Sequence, residues 1–353
     1  MFSLEMLPAR QGDALWLEWG DPARPRALLV DGGPPSRLTG ERVREKLAGR
    51  DPPGALELIV VTHIDSDHIA GVLRLLEERD VPLEPEDVWF NAWRHLPTDM
   101  LGAKQGEALS AEIRRRRLPW NVKFSGEAVV VPDAGPLPVV ELPEGLTLTL
   151  LSPTRTELAA LRPVWQREVE KAGLVPGVGG EPPQEPQPDR LGDAPLDPEE
   201  LAAAPFEPDD SAANGSSIAF LVEHDGKRLL LAGDAFADVL ADSLRRLAAE
   251  RGVDVIPLDA FKLSHHGGKH NLSPDLLDRV ECGRHLISTN GGIYHHPDGE
   301  AVSRVVVRER ETELVFNYRS RENARWDSSR LRRRFGYRAV YPPDDAPGIR
   351  VEL

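Results

Sequence analysis

A short turn at residues 60–72, VVTHIDSDHIAGV, concentrates side chains that bind metal ions. It places His63, Asp65, Asp67 and His68 within six positions of a chain that has ten histidines in all. Four such groups in one turn would lose hydration at high cost, and the carboxylates would repel each other, unless a cation bound them. The alternative is a local role in which the two aspartates cap the helix that follows. We interpret the turn as part of a metal site.

Histidines also cluster later in the chain. His265, His266 and His270 form one group and His295 and His296 another, so seven of the ten histidines fall in three clusters. Each cluster follows a predicted strand. First-row divalent ions need several imidazoles and carboxylates held by rigid elements at about 2.0 to 2.2 Å. We therefore favour a metal site at which several strand ends converge.

Apolar patterns define the elements that must hold these clusters. Residues 56–61 are apolar except for Glu57, which is typical of a strand buried on both faces, and an apolar pattern of helical spacing follows at 69–76. The opening turn therefore joins a buried strand to a helix. Both halves of the chain show strands that end in polar clusters, which predicts two sheets that share one site. Further strands are predicted at residues 14–19, 26–30, 217–222, 228–232, 259–263, 285–289 and 313–318, and further helices at 41–48, 236–247 and from 274.

The middle of the chain differs in composition. Residues 176–208 are dense in Pro, Gly and acidic residues and poor in large apolar groups. Such a segment cannot bury much apolar surface, so we predict an inserted loop or lid with outer limits at 154 and 212. Long loops in compact domains often lie over active sites. The whole chain, residues 1–353, is predicted to form a single domain around this insert.

Composition limits the partners. The net charge of -15 excludes the broad basic surface that non-specific duplex binding requires. The basic residues at 114–117 and between 326 and 341 are either local phosphate contacts or ordinary solvated helix faces. No apolar stretch approaches the roughly 20 residues that span a bilayer and the N-terminus has no signal-peptide pattern, so we predict a cytoplasmic protein without a membrane partner. The single cysteine, Cys282, excludes an internal disulfide and a cysteine-based zinc site.

The turn THIDSDHIAGV resembles the signature of the metallo-β-lactamase-fold hydrolases, His-x-His-x-Asp-His. Asp65 replaces the second histidine, which resembles a subgroup that includes the C-terminal domain of the DNA-uptake competence channel and phosphorylcholine esterases. Five further motifs match that subgroup in order between residues 11 and 297: QGD, LLVDGG, LLLAGDA, KLSHHGGK and HHP. The resemblance covers most of the chain and implies an α/β fold, the metallo-β-lactamase-like four-layer αββα sandwich.

The resemblance also implies two divalent metal ions, with zinc the first choice and manganese the second. His63 and Asp65 would hold one ion, Asp67 and His68 the other, and Asp234 would bridge them. The wider family's Gly-His motif, which supplies a further imidazole, is absent, and residues 214–217 read NGSS instead. The implied metal ligands are His63, Asp65, Asp67, His68, Asp234 and His266.

Other residues have implied roles around the metals. His266 is expected to ligate and His265 to contact substrate or support the ligands, although the sequence leaves open which of the pair points inward. Asp31 would orient a ligand imidazole, as carboxylates near metal sites commonly do. His296 would donate a hydrogen bond to the substrate. The implied catalytic residues are Asp67, His265 and His296, and the candidate substrate contacts are Lys269, Asn214 and Asn290.

The chemistry of such a site is hydrolysis. Two metal ions about 3.5 to 4 Å apart share a water, lower its pKa and neutralise charge on the group under attack. The resemblance therefore implies a phosphodiesterase or nuclease that uses a metal-bridging hydroxide on a phosphoester, with DNA or RNA among the candidate substrates. One alternative is an esterase for small esters, lactones or phosphorylcholine-like groups. The other is a catalytically silent scaffold in which the metal serves folding.

Overall fold

The computed structural model of the chain describes residues 1–96, 104–171, 196–309, 311–343 and 347–353. Strands and helices follow one another along this part of the chain. The strands are β1 (Phe2–Met6), β2 (Leu15–Trp19), β3 (Arg26–Val30), β4 (Ala55–Leu56), β5 (Leu58–Val60), β6 (Glu84–Pro85), β7 (Val88–Trp89), β8 (Val139–Leu142), β9 (Leu146–Ser152), β10 (Ala219–His224), β11 (Lys227–Leu231), β12 (Ile256–Leu258), β13 (Ala260–Lys262), β14 (Val280–Cys282), β15 (Arg284–Ile287), β16 (Glu313–Phe316), β17 (Arg338–Val340) and β18 (Ile349–Glu352). The helices are α1 (Arg37–Ala48), α2 (Ser66–Glu77), α3 (Lys104–Arg116), α4 (Arg155–Lys171), α5 (Pro198–Ala202), α6 (Ala212–Gly215), α7 (Ala237–Arg251), α8 (Pro274–Leu277), α9 (Gly299–Arg308), α10 (Arg321–Ala324) and α11 (Ser329–Phe335).

Two large sheets organise these elements. The first has six strands in the order β18-β1-β2-β3-β5-β7, and the second has eight in the order β17-β16-β15-β13-β11-β10-β9-β8. The strands β3, β5 and β7 are parallel, as are β11, β13, β15, β16 and β17, while the remaining neighbours in both sheets are antiparallel. Within each parallel set, carboxyl ends lie at one edge of the sheet, which is where α/β folds place their ligands.

Alternation along the strands defines the layers. Successive strand residues point to opposite faces. In β3, Leu28 and Val30 join an apolar core shared with the second sheet, whereas Leu29 lies in a separate core with Val43 of α1. On the second sheet, α7 packs against β9 and buries Leu240. Helices therefore cover the outer face of each sheet, and the predicted four-layer αββα sandwich is confirmed.

The sequence located the strands and helices nearest the histidine clusters but not every element. The helix predicted at 41–48 begins earlier, at Arg37, because the Ser36 hydroxyl accepts from the Thr39 backbone N–H and caps it. The strands β1, β6, β7, β8, β9, β12, β14, β17 and β18 were not predicted. Several of these strands give weak signals, because β6 and β7 have two residues each and β17 has three. The strand β9 is different, because its alternating leucines and threonines are a strand pattern that the sequence analysis missed.

The predicted insert at 154–212 is partly helical. Its first part forms α4, because Leu158, Leu161 and Trp165 have helical spacing and are buried in the core. Its last part contains α5, which Asp197 caps through the backbone N–H groups of Glu199 and Glu200. The loop interpretation of these two parts is therefore corrected. Residues 172–195, where the lid was expected, lie outside the described residues, so the lid stays a prediction.

Two expectations from composition have structural counterparts. In the part of the chain that the structure describes, no helix is long and apolar enough to cross a membrane. Cys282 is free and buried, and its thiol donates to the carbonyl of Arg284. Burial raises the pKa of this thiol to about 12. The thiolate that a nucleophile requires is therefore scarce at neutral pH, in keeping with a packing role.

Candidate metal centre

The centre forms where strand ends of both sheets meet. Asp31 directly follows β3, and His63 lies in the turn after β5, both in the first sheet. Asp234 follows β11, and His265 and His266 follow β13, in the second sheet. The polar clusters that the sequence assigned to separate strand ends thus lie at one edge of the sandwich. Each half of the chain contributes to the centre.

One carboxylate oxygen is the meeting point of four imidazoles. Asp234 Oδ2 lies 3.2 Å from His68 Nε2 and 3.8 Å from the Nε2 atoms of His63, His265 and His266. The side chains of His63, His68 and His266 are fully buried, whereas that of His265 is 27% exposed. Both members of the adjacent pair therefore point inward, and His265 is the one that also faces solvent.

A single aspartate fixes two of the imidazoles. Asp31 Oδ2 accepts from His68 Nδ1 at 2.8 Å and from the Thr62 hydroxyl at 2.7 Å. The Thr62 oxygen in turn lies 3.0 Å from His63 Nδ1 and accepts its proton. Since a carboxylate only accepts, this series of hydrogen bonds places the ring protons of both histidines on Nδ1. The Nε2 lone pairs of His63 and His68 are consequently directed at the centre.

The other two imidazoles are fixed in the same way. His266 Nδ1 donates to the Ser288 carbonyl at 2.9 Å. His265 Nδ1 donates to Asn271 Oδ1 at 2.8 Å, and the Asn271 amide donates to Asp209 Oδ2 at 2.7 Å. Partners of this kind set the tautomer and orientation of metal-binding histidines. Neither Asn271 nor Asp209 was found from the sequence, because their contact joins residues 62 positions apart.

The donor atoms fit a bound cation. His63, His68 and Asp234 offer ligand atoms within 4.8 Å of one another, and so do Asp67, His68 and His266. The Nε2 atoms of the three histidines and Asp234 Oδ1 are buried without a hydrogen-bond partner. Buried polar atoms normally have partners, and several unpartnered lone pairs that face one space are the arrangement that a bound cation would satisfy. The residues present therefore fit a metal site.

Electrostatics lead to the same conclusion. Burial alone would raise the pKa of Asp234, but the imidazoles of His68, His265 and His266 hold it well below its usual value. Burial alone would lower the pKa of His68, but the carboxylates of Asp234 and Asp31 raise it well above its usual value. The buried carboxylates thus require a compensating positive charge, which either a proton on His68 or a bound cation supplies.

The two aspartates of the opening turn differ in position. Asp67 Oδ2 lies 3.7 Å from His266 Nε2, on the side that the sequence assigned to Asp67 and His68. Asp65 Oδ2 lies 3.6 Å from His63 Nε2, but its side chain is 44% exposed and belongs to neither group of three. Asp65 occupies the N-cap position of α2 without a side-chain capping bond. The alternative of a simple helix cap is therefore not supported for Asp65.

His296 lies near the centre but outside the converging set. Its ring centroid is 5.1 Å from that of His265 and 6.5 Å from that of His266. Its Nδ1 is buried without a hydrogen bond, at 3.5 Å from Asp298 Oδ2. The neighbouring His295 is 44% exposed and contacts Glu322, as expected of a surface residue. His296 therefore borders the centre on the side of His265.

The three candidate substrate contacts are engaged with protein groups. Lys269 Nζ lies 3.5 Å from Glu300, so its charge has a partner. The Asn214 amide donates to Asp209 Oδ2 at 2.7 Å. Asn290 Oδ1 accepts from the backbone of Gly292 at 2.9 Å. The structure thus gives each of these side chains a structural partner, and their contact with substrate stays a prediction.

Ser217 lies in the segment that stands in place of the family's Gly-His motif, which would have supplied a further imidazole. Ser217 Oγ accepts from the Asp234 backbone N–H at 3.2 Å and lies 3.1 Å from His63 Nδ1. It therefore connects the two halves of the centre behind the ligand atoms. The sequence signal was present, because residues 214–217 occupy the place of the absent Gly-His motif. Its hydroxyl supports His63 instead of supplying another ligand atom.

Comparisons with known proteins identify the family. The sequence model of the metallo-beta-lactamase superfamily matches residues 24–291, most of the chain. No curated protein sequence matches it.

Three solved structures illustrate the likeness. The β-hydroxylase CmlA has a TM-score of 0.40 at 14% identity, with 100% of this chain and 54% of that chain covered, so this chain spans about half of CmlA. Zinc-bound PqqB from Methylobacterium extorquens has a TM-score of 0.42 at 14% identity, with both chains covered in full at 100%. Human tRNase Z, short form, has a TM-score of 0.38 at 11% identity, with 99% of each chain covered. No activity is transferred at such identities, and the family assignment rests on the match along residues 24–291: the chain belongs to the metallo-beta-lactamase superfamily.

Proposed function

We propose that the protein is a metal-dependent hydrolase of phosphodiester bonds. The observation that carries the proposal is the set of Nε2 atoms of His63, His68, His265 and His266 within 3.8 Å of Asp234 Oδ2. Zinc, or failing that manganese, is the expected metal, because imidazole and carboxylate donors suit both. The proposed ligands are His63, Asp65, Asp67, His68, Asp234 and His266.

The metals and the protein have separate tasks in this proposal. Divalent ions held by the proposed ligands would supply an activated water and positive charge for a phosphoryl oxygen. Asp31 keeps the ligand imidazoles in place. His265 faces both solvent and the centre, with its Nδ1 committed to Asn271, so its Nε2 is the atom available to a substrate oxygen. His296, beside it, is the second imidazole on the substrate side. Two imidazoles next to an anion-attracting centre favour a phosphoester, whose oxygens need both charge and hydrogen bonds.

The preferred substrate class within phosphoesters is the diester, nucleic acid included. With Asp65 in place of a histidine, the signature turn resembles that of the subgroup that includes the DNA-uptake competence channel and the phosphorylcholine esterases. This resemblance favours phosphoester chemistry. Because the protein has a net charge of -15, its surface as a whole repels a phosphate, and the metals of the centre would supply the main attraction. A nuclease of this kind would use a local cleft and not a broad basic surface.

One panel of substrates tests the proposal. The protein is loaded with zinc or with manganese, its metal content is measured, and turnover is followed on bis(p-nitrophenyl) phosphate, p-nitrophenyl acetate, a lactone, single- and double-stranded DNA, and RNA. We expect diester hydrolysis that a chelator abolishes. A fully loaded protein that hydrolyses only the acetate or the lactone would identify an esterase. A loaded protein without any turnover would support the scaffold alternative and end the proposal.

A phosphorylcholine-type ester is the second candidate, because an aromatic side chain lies at the edge of the centre. Tyr294 is 42% exposed, and its ring centroid is 6.3 Å from that of His296. Burial, together with the nearby carboxylates of Asp67 and Asp65, raises the pKa of the Tyr294 hydroxyl. Aromatic faces bind quaternary ammonium groups. Adding p-nitrophenylphosphorylcholine to the panel decides between the two candidates.

Replacing the adjacent histidines one at a time separates metal binding from catalysis. His266→Ala is expected to lose metal, because the imidazole of His266 forms one group of three ligands with Asp67 and His68. His265→Ala is expected to keep the metal and to lose about 10² to 10⁴ in kcat, the range typical of a general acid or base. Metal content by mass spectrometry and kcat on the diester are measured on the same samples. Loss of metal from both variants would show instead that both imidazoles are ligands.

A further inference from the structure

A buried ion pair joins the two sheets behind the metal centre. Lys262 Nζ lies 2.7 Å from Asp13 Oδ2, and the two side chains are 0% and 1% exposed. Asp13 precedes β2 of the first sheet, and Lys262 is the last residue of β13 in the second. Desolvating two charges costs about as much as their attraction returns, so such a pair is a poor source of stability alone. Its position suggests another role.

Asp13 contacts two of the proposed ligands. Its backbone N–H donates to the Asp67 carbonyl at 3.3 Å, and its Oδ1 lies 3.6 Å from His266 Nδ1. Gly12 packs directly on the same carbonyl, where a Cβ atom would lie 1.8 Å from the Asp67 oxygen. The turn at 12–13 thus touches Asp67 on one side and His266 on the other. These ligands come from opposite halves of the chain.

Lys262 fixes the aspartate in this position. Its ammonium group donates to Asp13 Oδ2 and, at 3.1 Å, to the Leu263 carbonyl. Burial would raise the pKa of Asp13, but the Lys262 ammonium and the His266 imidazole hold it well below its usual value, so the carboxylate stays charged. Because Lys262 is fully buried and both contacts are internal, its ammonium is not available to a substrate. Ser264, two positions after Lys262, begins the turn that contains His265 and His266.

We propose that Asp13 and Lys262 are a positioning pair that holds Asp67 and His266 at ligating distance. The pair thereby sets the metal affinity of the half of the centre formed by Asp67, His68 and His266, with little effect on the half that contains His63. The inference rests on the proposed metal centre, not on the choice of substrate. The pair acts through the ligands and touches neither metal nor substrate.

Metal titration tests the inference without any measurement of activity. Metal-free protein is titrated with zinc against a chromophoric chelator, and with cobalt, whose visible absorption reports ligand geometry. For Asp13→Asn and Lys262→Met we expect one of two equivalents to bind about 10- to 100-fold more weakly, the usual effect of removing an outer partner of a metal ligand. The other equivalent should be unchanged. Lys262→Arg, which keeps the charge, should recover part of the affinity.

Two comparisons identify which half responds. In a His63→Ala background the remaining equivalent should weaken when Asp13→Asn is added, whereas in a His266→Ala background it should not. Lys227→Met is the matched control, because Lys227, in the neighbouring strand β11, forms a partly exposed pair with Asp259, and its loss should leave both equivalents unchanged. Asp13→Asn keeps the side-chain shape and serves if Lys262→Met does not fold.

The outcomes are distinguishable. Variants that bind both equivalents as the wild type does would overturn the inference alone. So would an equal weakening of both equivalents together with a lower melting temperature of the metal-free protein, because that is what a purely structural pair produces. A wild type that binds no zinc or cobalt would overturn the proposed function and this inference with it.

Discussion

Asp234→Ala is expected to lose the bound metal and, with it, about a thousandfold in kcat on a phosphodiester. The reason is geometric, because Asp234 Oδ2 is the atom on which the four imidazoles converge and Oδ1 is buried without a partner. Metal-ion catalysis supplies several kcal/mol, and each 1.4 kcal/mol or so is a factor of ten in rate. Loss of the shared carboxylate therefore removes most of the catalytic advantage.

The measurement pairs metal content with turnover. Asp234→Asn serves as the isosteric version, since it removes the charge and keeps the shape. Asp242→Ala on α7 is the control, because its carboxylate is 66% exposed and pairs with Arg245 in the same helix. A variant of Asp234 that retains the wild-type metal content and kcat would contradict both the convergence on Asp234 and the proposed role of the metals.

The ligands in the turn at residues 60–72 were predictable from the sequence, but the orientation of the ligands contributed by the second half of the chain was not. His63 and His68 could be placed because the apolar run before them defines a buried strand end. The splayed orientation of His265 and His266 could not, since it depends on positive φ values of 47° and 56° that no residue pattern indicates. The family resemblance assigned Asp65 and Asp67 to different metal ions, without indicating how deeply each side chain is buried. Asp67 Oδ2 lies 3.7 Å from His266 Nε2 with its side chain 13% exposed, whereas Asp65 Oδ2 lies 3.6 Å from His63 Nε2 with its side chain 44% exposed.

The same limit applies to contacts between the sheets. QGD and KLSHHGGK were recognised as motifs, yet their meeting in the pair of Asp13 and Lys262 joins residues 249 positions apart. Strand periodicity predicts which face a residue occupies, not which residue of another sheet lies opposite. Two sheets that share one site followed from strands that end in polar clusters, and the four-layer sandwich followed from the family resemblance. The partly exposed edge strands β8 and β18 lack that signal, and α4 was obscured by the proline-rich composition around it.

Gly71→Ala is expected to destabilise the protein and to weaken metal binding, although it lies inside a helix. The turn after β3 and the helix α2 meet backbone to backbone. Gly32 N–H donates to the His68 carbonyl at 2.9 Å, and Gly71 N–H donates to the Gly33 carbonyl at 2.8 Å. A Cβ atom on Gly71 would lie 1.9 Å from the Gly32 oxygen, and one on Gly32 would lie 2.3 Å from the Val72 nitrogen.

Two opposing effects decide the sign for Gly71→Ala. Helix propensity favours alanine over glycine by about 1 kcal/mol. Overpacking costs about 1 to 3 kcal/mol when side chains can adjust, and here the obstacle is backbone that is itself hydrogen-bonded. The clash therefore prevails, with an expected net loss of about 2 kcal/mol or more in the free energy of unfolding. Relief requires α2 to move, and with it His68.

Urea denaturation of the metal-free protein and zinc titration of the folded variant measure the two consequences of Gly71→Ala separately. Gly283→Ala is the control, because a Cβ atom there meets nothing within 4 Å. The control should stay within about 0.5 kcal/mol of the wild type, as surface substitutions usually do. If Gly71→Ala were as stable as the wild type, helix propensity would have prevailed and the close docking of α2 would be wrong. If it were less stable but bound zinc normally, α2 would tolerate displacement without moving His68, and the position of the ligands would depend on Asp31 more than on the helix.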